Sequence, residues 1–416
     1  METNIPHSVR AWRWRIFAST WAAYAGYCFC RKPFYITKAA LGDEHGWDAS
    51  VLANIGAIYL VTYMIGQFVS AWAGTRWGPR VLLLTGMAIS AGCNIAFGAT
   101  NSAYAFAGFM AINGLAQATG WSACVGTMAS WYGRTERGTV MGIWATNFQF
   151  GGIASNTLAA WVAGHYGYRW SYFTGSALLM CAWAIVLLWA RNRPEDEGLP
   201  GMPAESSGSA EEDAGSGWTR EVLTNVLLVG VFYFFVKFVR YALWSWAPYV
   251  LEQTYHLPSD QAGYYSTLFD VSGILGVMAT GWLSDRFFRG RRVGISLMFI
   301  TLMCAATAAL YLTLGLGLAA FAVGISLIGF TLFGPDTLMS GAAAVDVGSR
   351  RTAVAATGII NGMGSAGSVV QELVFGALLA SGGTSLAFGT LVGSSGLAAT
   401  ALGVLLVRGW LGKSRI

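Results

Sequence analysis

Apolar residues run along this chain in long stretches, without the strict alternation of strands or the one-sided stripe of a surface helix. Twelve stretches of 18 or more stand out, at about 14–36, 52–73, 80–99, 103–130, 138–162, 170–190, 222–250, 261–284, 293–315, 318–345, 353–380 and 385–408. A helix needs about 20 apolar residues to cross roughly 30 Å of hydrocarbon, so each stretch predicts a membrane-spanning helix. The connections are short except at 191–221, where Glu205-Ser-Ser-Gly-Ser-Ala-Glu-Glu-Asp-Ala-Gly-Ser-Gly217 can bury nothing. That segment predicts a flexible linker between two six-helix halves, 1–190 and 222–416.

Composition agrees. Of 416 residues only 11% are charged and 55% are hydrophobic, against about a quarter charged in soluble chains. The chain reads as an all-α membrane protein with twelve transmembrane helices, and a large soluble catalytic domain is excluded, so no enzyme is expected. The net charge of +5 matters through its placement. With both termini cytoplasmic, 19 of the 25 Lys and Arg fall on that side, while only Lys38 and Arg169 fall outside. This asymmetry predicts an N-in, C-in protein of the cell inner membrane, surrounded by lipid, with no nucleic-acid partner and monomeric. No cleavable signal peptide is expected at Met1–Arg15, and no glycosylation sequon occurs. The six Cys form no C-x-x-C, and His7, His45, His165 and His256 sit at the N-terminus or at loop ends, so no metal site, cofactor or proton relay is expected.

Four cations remain inside the spans: Arg31 and Lys32 in the first, Lys237 and Arg240 in the seventh. Each costs roughly 2.5–3.5 kcal/mol at a span centre, so they are expected to face a wet cavity with partners. Arg31 and Arg240 stand 209 residues apart, in corresponding places of the two halves. Tyr24, Tyr27, Arg31 and Tyr35 recur at one-face helical spacing, as do Lys237, Arg240 and Trp244. Two guanidiniums facing one another among phenols suit a multivalent oxyanion, which an Arg fork binds bidentately. Three acids share the spans: Asp270, Asp336 and Glu372. Asp270 is the expected partner of Lys32 or Lys237, and the other two either pair with cations or satisfy structural polar groups.

Two six-helix halves with Gly281-Trp-Leu-Ser-Asp285-Arg286 after the eighth span, echoed by Gly74-Thr-Arg76 after the second, look like the major facilitator superfamily. The resemblance implies gating roles for Asp285, Arg286 and Arg76, although Thr75 stands where that family has Asp. The segments Tyr24-Ala-Gly-Tyr-Cys-Phe-Cys-Arg31-Lys32-Pro33-Phe34, Asn113-Gly-Leu-Ala-Gln-Ala-Thr-Gly120-Trp121, Arg240-Tyr-Ala-Leu-Trp-Ser-Trp-Ala-Pro248 and Gly334-Pro335 resemble the organophosphate:inorganic phosphate antiporters. The resemblance implies exchange of inorganic phosphate for an organophosphate by rocking of the halves, with Arg31 and Arg240 as phosphate ligands and Lys32 beside them. It covers nearly the whole chain.

Two departures bear on the substrate. Glycerol-3-phosphate antiporters resembling this chain carry a His four residues after the fifth-span Trp, whereas Trp144 is followed by Phe148 and Gln149, and a second-span Lys is replaced by Gln67. A hexose phosphate is expected to be preferred, with Gln149, Gln67 and Asn147 as candidate sugar contacts. Two other readings stay open: a sugar-phosphate sensor with the same fold, and a proton-coupled symporter of another solute.

Overall fold

The computed structural model describes residues 7–132, 140–141, 143–200, 219–287, 292–339 and 353–412. Every element among them is helical: α1 (His7–Phe29), α2 (Lys32–Ile36), α3 (Lys38–His45), α4 (Ala49–Trp77), α5 (Pro79–Ala99), α6 (Ala103–Trp131) and α7 (Thr146–Tyr166). After α8 (Tyr168–Trp189) come α9 (Arg220–Tyr255), α10 (Ser259–Phe287), α11 (Arg292–Thr313), α12 (Leu318–Thr337), α13 (Ala353–Ala380) and α14 (Thr384–Trp410). Among the described residues nine helices are long and apolar enough to cross a bilayer. Three expected spans fall short of that measure, and their helices are α1, α6 and α7. Of these, α1 carries Arg10, Arg13 and Arg15, α6 carries Asn113 and Gln117, and α7 carries Asn147 and Gln149, polar groups that lower the mean hydropathy of each helix.

The chain forms two units, Met1–Leu41 with Ile58–Ser206, and Gly42–Ala57 with Ser207–Ile416. The sequence pattern places 42–57 with the first half, whereas here it packs with the second. Its close contacts are to α13. A Cβ on Gly376 would stand 2.0 Å from that of Ala53, and Gly56 lies directly against the Glu372 carboxylate.

In the first unit α5 packs on α6 and α8, and α1 packs on α6, α7 and α8. Tyr27, Met87, Met128, Trp131, Trp144 and Leu179 form its core. In the second, α9 packs on α13 and α14, α10 on α12, and α11 on α12 and α14. Between lipid-compatible helices the hydrophobic effect does not select partners, and small residues that let backbones approach do. Accordingly a Cβ on Gly276 would sit 1.9 Å from the Phe330 carbonyl oxygen, and one on Gly367 2.2 Å from that of Phe234. Phe68, Leu188, Leu312 and Leu386 remain exposed, as a lipid-facing surface requires.

Three features correct the sequence reading. The first span is not one helix. Proline has no N–H and its ring clashes with the preceding turn, so ahead of Pro33 the helix closes with Cys30 N donating to Tyr27 O (3.1 Å) and Arg31 N to Cys28 O (3.0 Å), and α2 starts afresh at Lys32. The stripe Tyr24–Tyr27–Arg31–Tyr35 is therefore cut. Lys38, expected outside in a loop, is fully buried, with its ammonium 5.2 Å from the Tyr35 ring centroid. Finally, the start of the expected flexible linker is fixed. Pro194–Glu197 forms a 3-10 turn, Arg191 pairs with Glu197, Arg80 N donates to Asn192 Oδ1 (2.9 Å), and Trp131 Nε1 donates to Arg191 O (3.1 Å). The acidic run Glu205–Gly217 lies outside the described residues.

The close approach of α8 to the break in α1 is testable. A Cβ on Gly175 would lie 2.1 Å from the Phe29 carbonyl oxygen, whereas one on Gly92 meets nothing within 4 Å. Overpacking costs about 1–3 kcal/mol, while Ala at an open helical site gains about 0.5–1 kcal/mol. Gly175→Ala is expected to lower the thermal midpoint of the purified protein by several degrees, with Gly92→Ala unchanged or higher. Equal midpoints would show that the contact does not constrain the fold.

Candidate functional site

The break between α1 and α2 brings Arg31 out of helical register and frees the Cys30 carbonyl. Asn94 Nδ2 (3.0 Å) and Asn113 Nδ2 (3.4 Å) donate to that carbonyl. Arg31 Nε donates to Gln117 Oε1 (2.8 Å), which also accepts from the Tyr59 hydroxyl (3.1 Å), and the Tyr63 ring centroid lies 5.2 Å from the guanidinium carbon. Its partners among the described residues are thus neutral. Lys32, next in the chain, is almost fully buried.

Tyr27 and Tyr24, expected beside Arg31 as ligands, are engaged in packing. Tyr27 Oη is 2.8 Å from Thr119 Oγ1 and its ring rests where Gly120 and Gly86 leave room. The Tyr24 ring packs with Trp121 (5.4 Å between centroids), Trp144 (6.0 Å) and Phe148 (6.4 Å). Those four rings form one aromatic wall. Gln149 is half-buried on α7 and Gln67 is exposed on α4. Asn147, expected as a sugar contact, is fully buried, and its amide donates to Trp144 O.

In the second unit Arg240, on α9, donates from Nη1 to Asp336 Oδ2 of α12, with the Phe333 ring 4.5 Å from its guanidinium carbon. Lys237, one turn earlier, holds its ammonium 5.2 Å from both the Tyr233 and Tyr241 rings. Asp270, on α10, is buried within electrostatic range of Arg240. The Trp244 ring lies 5.6 Å from that of Tyr241, tilted by 52°. Glu372, on α13, accepts from Ser245 Oγ (2.8 Å) and Trp246 Nε1 (3.2 Å), so this acid satisfies polar groups of α9. Of the expected gate residues, Arg76 is exposed with its guanidinium 5.9 Å from the Trp72 ring, and Arg286 is exposed in the last turn of α10. The Asp285 side chain lies outside the described residues.

The reading from sequence missed Gln117, Asn113, Ser90, Asn94, Tyr59 and Tyr63 as neighbours of Arg31. The available signal was spacing. Ser90 with Asn94, and Asn113 with Gln117, are polar pairs four residues apart in helices that are otherwise apolar, and such pairs share a helix face.

The family model of the Major Facilitator Superfamily matches residues 20–371. A probable hexose phosphate transport protein of Chlamydia pneumoniae is 28% identical over 381 residues, covering 83% of this chain and 81% of that protein. The membrane sensor protein UhpC of Salmonella typhimurium is 30% identical, covering 84% of this chain and 82% of its own. A glycerol-3-phosphate transporter of Bacillus subtilis is also 30% identical, covering 85% and 83%.

The Arg240–Asp336 pair has side-chain exposures of 12% and 5%. Removing one partner of such a pair costs about 3–5 kcal/mol, because the other charge is left buried alone. Asp336→Asn is expected to lower the thermal midpoint strongly, and Arg240→Gln combined with Asp336→Asn to recover at least half of the loss. Additive losses in this cycle would dissolve the pair.

Proposed function

The chain belongs to the major facilitator superfamily and, within it, to the sugar-phosphate and organophosphate transporter family, and from that premise we propose that it exchanges inorganic phosphate for an organophosphate, preferring a hexose phosphate such as glucose 6-phosphate, by rocker-switch alternating access. The observation that carries this reading is Arg31, a half-buried guanidinium whose partners are an amide and a phenol ring. Helices α1, α2 and α4–α8 contain no Asp or Glu at all. A fork held in place by neutral groups keeps its full charge for an incoming anion, and Lys32 adds a compact second charge. In the proposed cycle each half contributes one arginine. At Arg240 the anion competes with Asp336, so an occupied and an empty site differ in which acid Arg240 serves. Only a ligand with different affinities for the two conformations can drive such a switch.

A second reading, a sugar-phosphate sensor, is favoured by the likeness to a membrane sensor protein. Counterflow of labelled phosphate in proteoliposomes separates the readings. The antiporter exchanges phosphate, the sensor binds it without flux, and a symporter responds to a pH gradient alone. Arg31→Lys and Arg240→Lys are each expected to cut exchange below a third of wild type with expression intact, since a point charge cannot replace a bidentate fork. A lost charge-assisted contact of about 1.5–3 kcal/mol corresponds to roughly ten- to a hundredfold weaker binding. Exchange above a third in either variant removes that arginine from the site.

Substrate preference follows from the aromatic wall. In this reading Phe148 of the aromatic wall stacks with the sugar ring, and Gln149 in α7 and Gln67 in α4 supply uncharged hydrogen-bonding groups. Glucose 6-phosphate is expected to compete with labelled phosphate about tenfold better than glycerol 3-phosphate, roughly 1.4 kcal/mol, and Phe148→His to shift the ratio toward the triose. Equal inhibition constants would overturn the hexose assignment and leave the exchange reading untouched.

A further inference from the structure

A closed ring of hydrogen bonds starts and ends at the break between α1 and α2. Arg31 Nε donates to Gln117 Oε1 (2.8 Å), Gln117 Nε2 donates to Ser90 Oγ (3.2 Å), and Ser90 Oγ donates to Asn113 Oδ1 (2.7 Å). Asn113 Nδ2 donates to the carbonyl of Cys30, the residue before Arg31 (3.4 Å), and Asn94 Nδ2 reinforces that acceptor (3.0 Å). Ser90, Asn94, Asn113 and Gln117 are all at most 1% exposed. Each donor in the ring points the same way, so the bonds polarise one another. The direction also fixes the Gln117 amide. Turned over, it would set its NH2 against the guanidinium and the Tyr59 hydroxyl and leave Ser90 without its donor.

We infer that Gln117 is a positioning residue for anion binding: by holding Nε of Arg31 it dedicates the terminal Nη1/Nη2 edge of the fork to a phosphate, which therefore binds end-on. The inference rests on Arg31 being a phosphate ligand, as proposed above. A guanidinium can grip two oxygens either through Nε with one Nη or through both Nη groups. With Nε already engaged by a fully buried amide, the second edge is the one left for the ligand. The same bond holds the side chain in its binding orientation before the anion arrives, so less ordering accompanies binding. The sequence hides this role because Gln117 needs no contact with the substrate to perform it.

Two measurements on the full-length protein test the inference. The first is binding and exchange of labelled inorganic phosphate by wild type and Gln117→Met, which keeps the length of the side chain and removes its acceptor. We expect the Kd to rise about tenfold, with the exchange rate at saturating phosphate within about twofold of wild type. A purely structural role would lower the active fraction, and so the saturating rate, while leaving Kd alone, and that result overturns the inference. The second needs no variant at position 117. In 15N-arginine NMR of the wild type, the Arg31 signals are assigned by their loss in Arg31→Lys. Phosphate is expected to shift the Nη resonances and leave the Nε–H resonance in place. A shift of Nε–H as large as that of Nη would mean side-on binding and would overturn the inference even if Gln117→Met fails to fold. Wild type that binds no phosphate sinks the transport reading itself, whereas wild type that binds, with an unmoved Kd in Gln117→Met, sinks only this inference.

Discussion

Hydrocarbon supplies no hydrogen-bond partner, so each polar group carried into it has to be answered from within the protein or from a wet cavity. Much of this structure follows from that condition. Secondary structure among the described residues is helical throughout, because a helix closes its own backbone bonds. Buried hydroxyls turn back onto their own turns, as Thr20 does to Ile16 O (2.8 Å) and Thr267 to Gly263 O (2.9 Å). Where Pro33 interrupts α1, two asparagines from neighbouring helices take up the carbonyl that the break exposes. The cluster around Arg31 exists because that carbonyl and that guanidinium both had to be met.

The two units answer the condition for their arginines in different ways. Arg240 is matched by a carboxylate, Asp336, with Asp270 nearby. Arg31 is matched by an amide and aromatic rings. An ion pair neutralises a cation, whereas a neutral acceptor orients it and leaves its charge in force. Two arginines 209 residues apart thus stand under unequal electrostatic control.

Much of the helical layout is legible in the chain, because apolar length is what hydrocarbon thickness demands, and the arginine pair stands out because charge is costly there. What the chain conceals is orientation. Spacing puts Asn113 and Gln117 on one face of α6, but nothing in the chain tells that this face meets the break after α1, so Gln117 is not legible as a neighbour of Arg31. Tyr27 is a further case: its spacing to Arg31 is that of a shared face, but the helix closes at Cys30 and the Tyr27 hydroxyl goes to Thr119, a partner that spacing along α1 does not reveal. Lys38 was read from its position after a span, whereas α2 and α3 fold it under Phe34 and Tyr35. The grouping of 42–57 with the second unit is invisible for a similar reason, since Gly376 and Ala53 declare their fit only once their helices are side by side.

The absence of carboxylates from α1, α2 and α4–α8 has a consequence for how this half can vary. If Arg31 binds an anion as proposed, an Asp or Glu arising within its reach would be an anion tethered to its own receptor, and tethering over a short span gives an effective concentration of the order of millimolar or more. Such a residue would act as a built-in competitor, filling the fork whether or not any solute was present. A mutation that looks conservative by size, such as an amide becoming an acid on α5 or α6, is therefore a form of self-inhibition. On the proposed reading, the helical positions around Arg31 are open to amides, hydroxyls and phenols and closed to acids, and the negative charge that Arg31 meets comes from its ligand.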